Sequence, residues 1–324
     1  MNRKYFNGLA AAALVWSALA TAQDYPANTI SLIVPFSAGG PTDTVARMIA
    51  QSMTNELKQQ VIVENTVGAG GTIGAQKVAR ARPDGYTLLI HHIGHATAPA
   101  LYKKLSYNVI DDFEPIGLVT DVPMTIVAKK EFAPNNLKEL TAYVKANKDK
   151  VSIASAGPGA VSHLCGMLFM SAIETDLTVA QYKGSGPVMN DLLGGQVDLT
   201  CDQTTNTTSQ IKANKIKVYC ATTKKRVPSL PEVPTCSEAG LSNFEVTAWH
   251  AIYAPKGTPK PVIDRLTKAL QVALKDKNVI QRFADLGTEP VSEDRATPEA
   301  LRAQLKAEVD KWGPIIKKAG VYAE

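Results

Sequence analysis

This chain is short of the residue patterns that mark most catalytic sites. Its four cysteines, Cys165, Cys201, Cys220 and Cys236, form no CxxC pair, so neither a zinc knuckle nor a dithiol redox centre is encoded. HExxH, GxSxG and P-loop spacings are absent, which removes the sequence marks of zinc proteases, α/β hydrolases and nucleotide hydrolases. An excess of one charge is missing as well: 35 basic against 30 acidic residues leave a formal net charge of +5. The basic residues are interspersed and not interleaved with aromatics, so nucleic acid is not an expected partner. The mostly apolar run Leu9 to Ala20 is too short for the ~20 residues that span a bilayer, and no later uncharged segment approaches that length.

That run reads instead as part of a signal peptide over residues 1–22. Arg3 and Lys4 precede it, and Ala20-Thr21-Ala22 supplies the small-x-small cleavage pattern. The first cysteine is Cys165, so no lipid-anchor cysteine follows the cleavage point. A free, soluble periplasmic protein starting near Gln23 is expected. Its formal charge is +3, because residues 1–22 hold two basic residues and no acidic one. The remaining length suits two domains. Up to two disulfides are open to it in an oxidising compartment, but Cys165 and Cys220 sit in apolar runs, and free, buried thiols are the favoured expectation.

Short β-rich runs alternate with helical patterns, the signature of parallel-sheet α/β units. Thr29–Pro35 reads as a buried strand, followed by a helix whose Val45, Ile49, Met53 and Leu57 recur every fourth residue. A similar strand–loop–helix series starts at Val151. Ile116–Lys129, interrupted by Pro123, and Glu245–Pro255 read as two strand crossings between lobes. The expected division is residues 23–123 with 249–324 as one lobe and 124–248 as the other. The tail helices, from Pro261 onward, are expected to pack back on the first lobe. Two crossings leave a cleft that a hinge closes.

Four loops are candidates for that cleft. In the segment Pro35–Asp43 (PFSAGGPTD), Gly39-Gly40 frees the backbone and Pro41 suits a helix start, with Thr42 or Asp43 as cap. Its N–H groups and the helix dipole make an anion site, or the loop is only a tight connection. Ser155–His163 (SAGPGAVSH) has the same build, and the two are expected to face each other, with Ser155 and His163 as added donors. Tyr182–Pro187 (YKGSGP) is the third. Asp202–Ser209 (DQTTNTTS) reads as a polar pocket wall or a plain surface turn. Trp249 stacks on a ligand or fills the hinge core.

Three rival motifs carry less. Gly68–Gly74 (GAGGTIG) does not have the GxGxxG spacing of a dinucleotide loop, so no cofactor is expected. His91, His92 and His95 have no nearby carboxylate or cysteine, so cleft lining or satisfied loop histidines are preferred to a metal site. Adjacent Ser162 and His163 side chains diverge, so no nucleophile–base pair and no enzyme activity is expected.

The segments IVPFSAGGPTD, NTVGAGGTIGAQKVARARPDGYTLL, ALYKKLSYNVIDDFEPI, SAGPGAVSHL, YKGSGPVMNDLLGGQVDL, LPEVPTCSEAGL and AWHAIYAPKGTP occur in this order. In them the chain resembles the receptors of tripartite tricarboxylate transporters, the TctC or Bug group of periplasmic binding proteins. The resemblance implies a two-lobe α/β flytrap, each lobe a sheet flanked by helices, that holds a ligand carboxylate through backbone groups and ordered water. It implies Phe36, Ser37, Ala38, Gly39, Gly40 and Asp43 as ligand-binding positions on one lobe, with Asp43 pinning its loop as a cap rather than touching an anion. On the other lobe it implies Ser155, Gly157, Ala160, His163, Tyr182, Asp202 and Thr204. Many relatives carry Ser where Ala160 stands, which removes one hydroxyl contact.

No arginine stands in these loops, so neutral donors are expected to meet the ligand. Thr204 and Thr205 are placed for a second carboxylate, and Phe36, His92 and Trp249 for flat apolar walls. On that basis an aromatic dicarboxylate such as terephthalate is preferred, ahead of citrate-like or C4 acids. A monomer that delivers its ligand to tripartite-type membrane permease subunits is expected, with a sensor for a signalling kinase as the alternative.

Overall fold

The computed structural model describes residues 25–320, 322 and 323. The expected signal peptide lies outside the described residues. The first sheet contains β1 (Ile30–Val34), β2 (Val61–Asn65), β3 (Thr87–His92), β9 (Thr247–Pro255) and the first part of a long β4 (Phe113–Lys129), in the order β2-β1-β3-β9-β4. β1 is parallel to β2 and β3, whereas β9 runs antiparallel to β3 and β4. The second sheet joins the end of β4 to β5 (Ser152–Ser155), β6 (Thr178–Gln181), β7 (Leu199–Gln203) and β8 (Ile216–Ala221). β5 is parallel to β6 and β7, while β7 and β8 flank β4 antiparallel.

The change of sheet on β4 is sharp. Phe113 through Pro123 pair with β9, and Met124 onward pairs with β7 and β8. Pro123 was expected to interrupt a strand. It stands within one instead, where the strand exchanges partners, a position that tolerates a missing N–H. The chain returns through residues 222–246, tied at its ends by the Val246 N–H to the Thr222 carbonyl and by the Thr222 hydroxyl to the Val246 carbonyl.

Helices fill the crossovers. α1 (Pro41–Leu57) buries Val45, Ile49, Met53 and Leu57, the face its four-residue spacing predicts. Burying each such side chain contributes about 1.5–3 kcal/mol. β1 is buried apart from half-buried Ser31, as its apolar Ile30, Leu32, Ile33 and Val34 require. Further crossover helices are α2 (Thr72–Ala79), α4 (Leu137–Ala146), α5 (Val161–Ala172) and α6 (Ser185–Leu193). The tail helices α8 (Lys260–Leu274), α9 (Lys277–Asp285) and α10 (Pro298–Ala319) pack on the first sheet's side as expected: α8 against α1 and β4, α10 against β4 and α3 (Gly94–Leu101). α3 itself was not expected. It carries Gly94 and Pro99, and its start is held by the Gly94 N–H donating to Nδ1 of His92.

Two expectations are corrected. The cysteines are buried but not free: Cys165–Cys201 ties α5 to β7, and Cys220–Cys236 ties β8 to the segment after it. Their Cα atoms lie 6.0 and 4.8 Å apart, distances at which paired thiols oxidise, and separations of 36 and 16 residues conceal that proximity. The segment DQTTNTTS is not the plain surface turn that was one of its two readings. It is the end of β7 and the start of α7 (Thr204–Lys212), and its threonines are buried. Thr204 donates to the Gly287 carbonyl and Thr208 to the Leu286 carbonyl, fastening the second sheet's helix to the returning tail. Those partners are 78 or more residues away, so hydroxyl-rich sequence alone read as exposed.

Candidate functional site

Four helices begin at the carboxyl ends of parallel strands or beside them, where α/β sheets offer ligand crevices. The residues before them are Gly40 for α1, Ala160 for α5, Gly184 for α6 and Gln203 for α7, and none provides a side-chain cap. The positive helix ends are therefore left to other partners.

The α1 junction is held by Asp43, which sits inside the first turn rather than at the cap. Its carboxylate accepts the Gly39 N–H at 3.0 Å, the Asn65 amide at 2.9 Å and the Arg47 guanidinium at 2.9 Å. Burial pushes this carboxyl up, but the bonds from Arg47, Gly39 and Asn65 outweigh it and hold it below the usual range. Asp43 thus pins the loop, with no oxygen directed at an anion. Ala38 and Gly39 lie exposed at the tip, while Phe36 and Gly40 are buried.

Across the cleft this junction meets the one before α6. The Ser37 N–H donates to the Lys183 carbonyl at 3.2 Å. A Cβ on Gly40 would stand 3.6 Å from the Gly186 nitrogen, and one on Gly184 would overlap the Ser37 hydroxyl. Gly184 also has φ of +143°, so only glycine fits there without strain.

The α5 junction faces a different partner. The Pro158 carbonyl accepts the Tyr102 hydroxyl at 2.7 Å, and Gly70 packs so closely that a Cβ would collide with the same carbonyl. Gly157 lies against the carbonyl of Tyr182. The two glycine-rich loops expected to face each other therefore face other loops: 35–43 meets 183–186, and 155–160 meets 68–71. Sequence reasoning named the loop that holds Gly184 and Ser185 but missed Gly70 and Tyr102 as closing contacts. The cluster GAGG was the available signal, and it was weighed only as a dinucleotide loop.

The remaining predicted residues fall into three groups. Some serve their own loop: the His163 Nδ1 accepts the Gly159 N–H, the Ser155 hydroxyl bonds the Gln181 side chain, and buried Ala160 starts α5. The Tyr182 hydroxyl reaches Asp191 along α6, leaving its backbone toward Gly157. Others stack: Phe36 and His92 lie 4.6 Å apart at 20° and cover each other's faces. His92 belongs to a buried group with His91, His95 and His250, the last beside the Thr42 hydroxyl at 3.2 Å. Burial drives His91 and His250 to about 3 and holds His92 and His95 well below the ordinary value, so all four are neutral. Among the described residues no three His, Cys, Asp or Glu side chains form a group that could hold a metal.

A third group carries buried polar atoms with no protein partner: Ser37 Oγ, Thr205 Oγ1, Gln203 Oε1 and Trp249 Nε1. Three of these can donate, which suits a carboxylate oxygen. Asp202 is buried and accepts from the Ser185 hydroxyl, the Gln203 N–H and the Asn206 amide. Burial pushes its carboxyl up to about 6.

Comparison with known proteins identifies the family. The chain matches the tripartite tricarboxylate transporter family receptors, TctC, over residues 45–321. A UPF0065 protein from the TAR-I ttuE-ttuC' intergenic region of Agrobacterium vitis is 54% identical over 322 residues, 99% of this chain and 92% of that protein. The structure of the periplasmic binding protein BugD superposes with a TM-score of 0.90 at 55% identity, covering 92% of this chain and 99% of BugD. MatC from Rhodopseudomonas palustris with bound malate gives 0.88 at 39% identity, over 90% and 100% of the two chains. These neighbours bind substrates and are not enzymes. This chain belongs to the tripartite tricarboxylate transporter receptor family and is a periplasmic solute-binding receptor.

Proposed function

We propose that the receptor captures a short dicarboxylate in the cleft between the α1 and α6 junctions and delivers it to membrane permease subunits of the tripartite type. The observation that carries this reading is the meeting of uncapped helix starts from both sheets, at Gly40 and Gly184, together with buried donors at Ser37, Thr205 and Trp249 that have no protein partner. A carboxylate gripped there is held by backbone N–H groups, hydroxyls and water, in line with the absence of arginine from the loops. Closure about the exchange point at Pro123/Met124 and the return near Trp249 follows from differential affinity for the closed state. The lobes are 23–123 with 249–324, and 124–248, in a monomer exported by residues 1–22.

The aromatic preference drawn from Phe36 and His92 loses support, because those rings stack on each other. The malate bound to MatC supports a C4 acid instead. Titration calorimetry at pH 7.5 with malate, citrate and terephthalate tests this. Malate is expected to bind most tightly; tighter terephthalate binding overturns the size assignment, and failure of all carboxylates overturns the reading itself.

A further inference from the structure

Asp202 is a buried carboxylate, 1% exposed, with three hydrogen-bond donors and no cation. Its position is the unusual part. Oδ1 accepts the hydroxyl of Ser185, the first residue of α6, and the backbone N–H of Gln203, which precedes α7. Oδ2 accepts Asn206 in the first turn of α7. One carboxylate thus joins two helix starts, and the Ser185 backbone nitrogen lies 3.8 Å from where a Cβ of Gly40 would stand on the facing junction. Gln203 Oε1 and Thr205 Oγ1, beside it in sequence, are buried without partners.

The titratable groups on the surrounding elements do not neutralise it. His163 on α5 bonds the Gly159 N–H, Asp191 on α6 the Tyr182 hydroxyl, and Lys212 on α7 the Asp285 carbonyl. Asp43 and Arg47 on α1 bond each other, and His250 on β9 lies against Thr42. Lys183, before α6, is exposed. β4 contributes Thr125, whose hydroxyl goes to the Asp202 carbonyl oxygen, and β5 ends in Ser155.

We propose that Asp202 is a positioning residue that takes up a proton when a carboxylate ligand occupies the cleft, so that capture is coupled to protonation. The proposal rests on the carboxylate-receptor reading above. An anion seated against the α1 and α6 starts repels a second buried anion through protein rather than water, and protonation of Asp202 is the relief that keeps both helix starts in place. Protonated Asp202 becomes a donor through one oxygen, and the Ser185 hydroxyl, which donates to the ionised form, can turn to accept from it.

The test is titration of the full receptor with malate between pH 6.5 and 8, in pairs of buffers with different ionisation enthalpies. Carboxylates of ordinary pKa are ionised throughout that window. Wild-type protein is expected to take up about half to one proton per malate, with affinity rising up to ~10-fold per unit fall in pH. Asp202→Asn is expected to bind with no proton uptake and a flat pH profile. Asn206→Ala, which removes a donor to the ionised carboxylate, is expected to move the uptake profile to higher pH, an effect that a merely structural role would not produce and that does not need the first variant to fold. Buffer-independent heats with normal malate binding, or uptake that persists in Asp202→Asn, overturn the proposal and leave the receptor reading intact. Absence of binding by every carboxylate overturns both.

Discussion

The most deeply buried acid and the most deeply buried bases lie on different sides of the cleft. The side built on β3 and β9 gathers His91, His92, His95 and His250, whereas the side built on β7 holds Asp202. Removal from water disfavours whichever form is charged, so it drives the four bases down and the acid up. Both sides are stable when neutral, yet they answer acid in opposite directions. For the histidines the unfolded chain, with a pKa near 6.5, binds protons that the folded state refuses, so stability falls as pH drops below ~6.5. For Asp202 the folded pKa of about 6 exceeds the unfolded ~3.9, so stability rises as pH falls through that window.

Four bases outweigh one acid, and the largest expected effect follows from that imbalance. Between pH 6.5 and 5 the folding free energy is expected to drop by several kcal/mol, at most ~1.4 kcal/mol per group per pH unit. Denaturant titrations at the two pH values check it. His95 packs among Tyr107, Phe113 and Tyr253, so His95→Phe is expected to remove about one proton's worth of that dependence. An unchanged pH slope in this variant would break the contrast between the two sides.

The second side relies on a covalent tie that the first does not have. Replacing both Cys165 and Cys201 by alanine is expected to destabilise the protein by ~3–4 kcal/mol, read as a lower melting temperature, because the closed loop spans 36 residues. The first side relies on Asp43. Asp43→Asn is expected to lose about 1–2 kcal/mol at pH 7 along with the charged bond to Arg47. Because this carboxyl is held low, its contribution exists above the unfolded ~3.9 and disappears as pH falls through the folded value, so wild type and variant converge in acid. Smallest is His163→Ala, which frees one loop N–H. It is expected to weaken ligand binding by less than ~10-fold, a hydrogen bond's worth, with no turnover by either protein.

The same contrast explains what could be read in advance. Val45, Ile49, Met53 and Leu57 share a face because a helix repeats every 3.6 residues, and the chain alone sets that period. The α1 junction was legible for a similar reason: glycines, a proline and a nearby acid are local chemistry. The pairing of junctions was not. Whether Gly157 meets Gly40 or Gly70 depends on how two sheets hinge on β4, and residues 87 positions apart carry no local signal of contact. Hydroxyl-rich α7 misled for a related reason, since polar composition reads as exposed until its carbonyl partners at 286–287 are known.

The sequence by itself determined the alternation of strands and helices, the glycine-rich helix starts and the scarcity of cations near them. These are properties of residue type and spacing, and they suffice to expect an α/β receptor. Tertiary structure decided which thiols pair, which loops close on each other and which titratable groups are stripped of water. Each of those depends on distances between residues far apart in the chain, and burial, unlike periodicity, exists only once the core has formed.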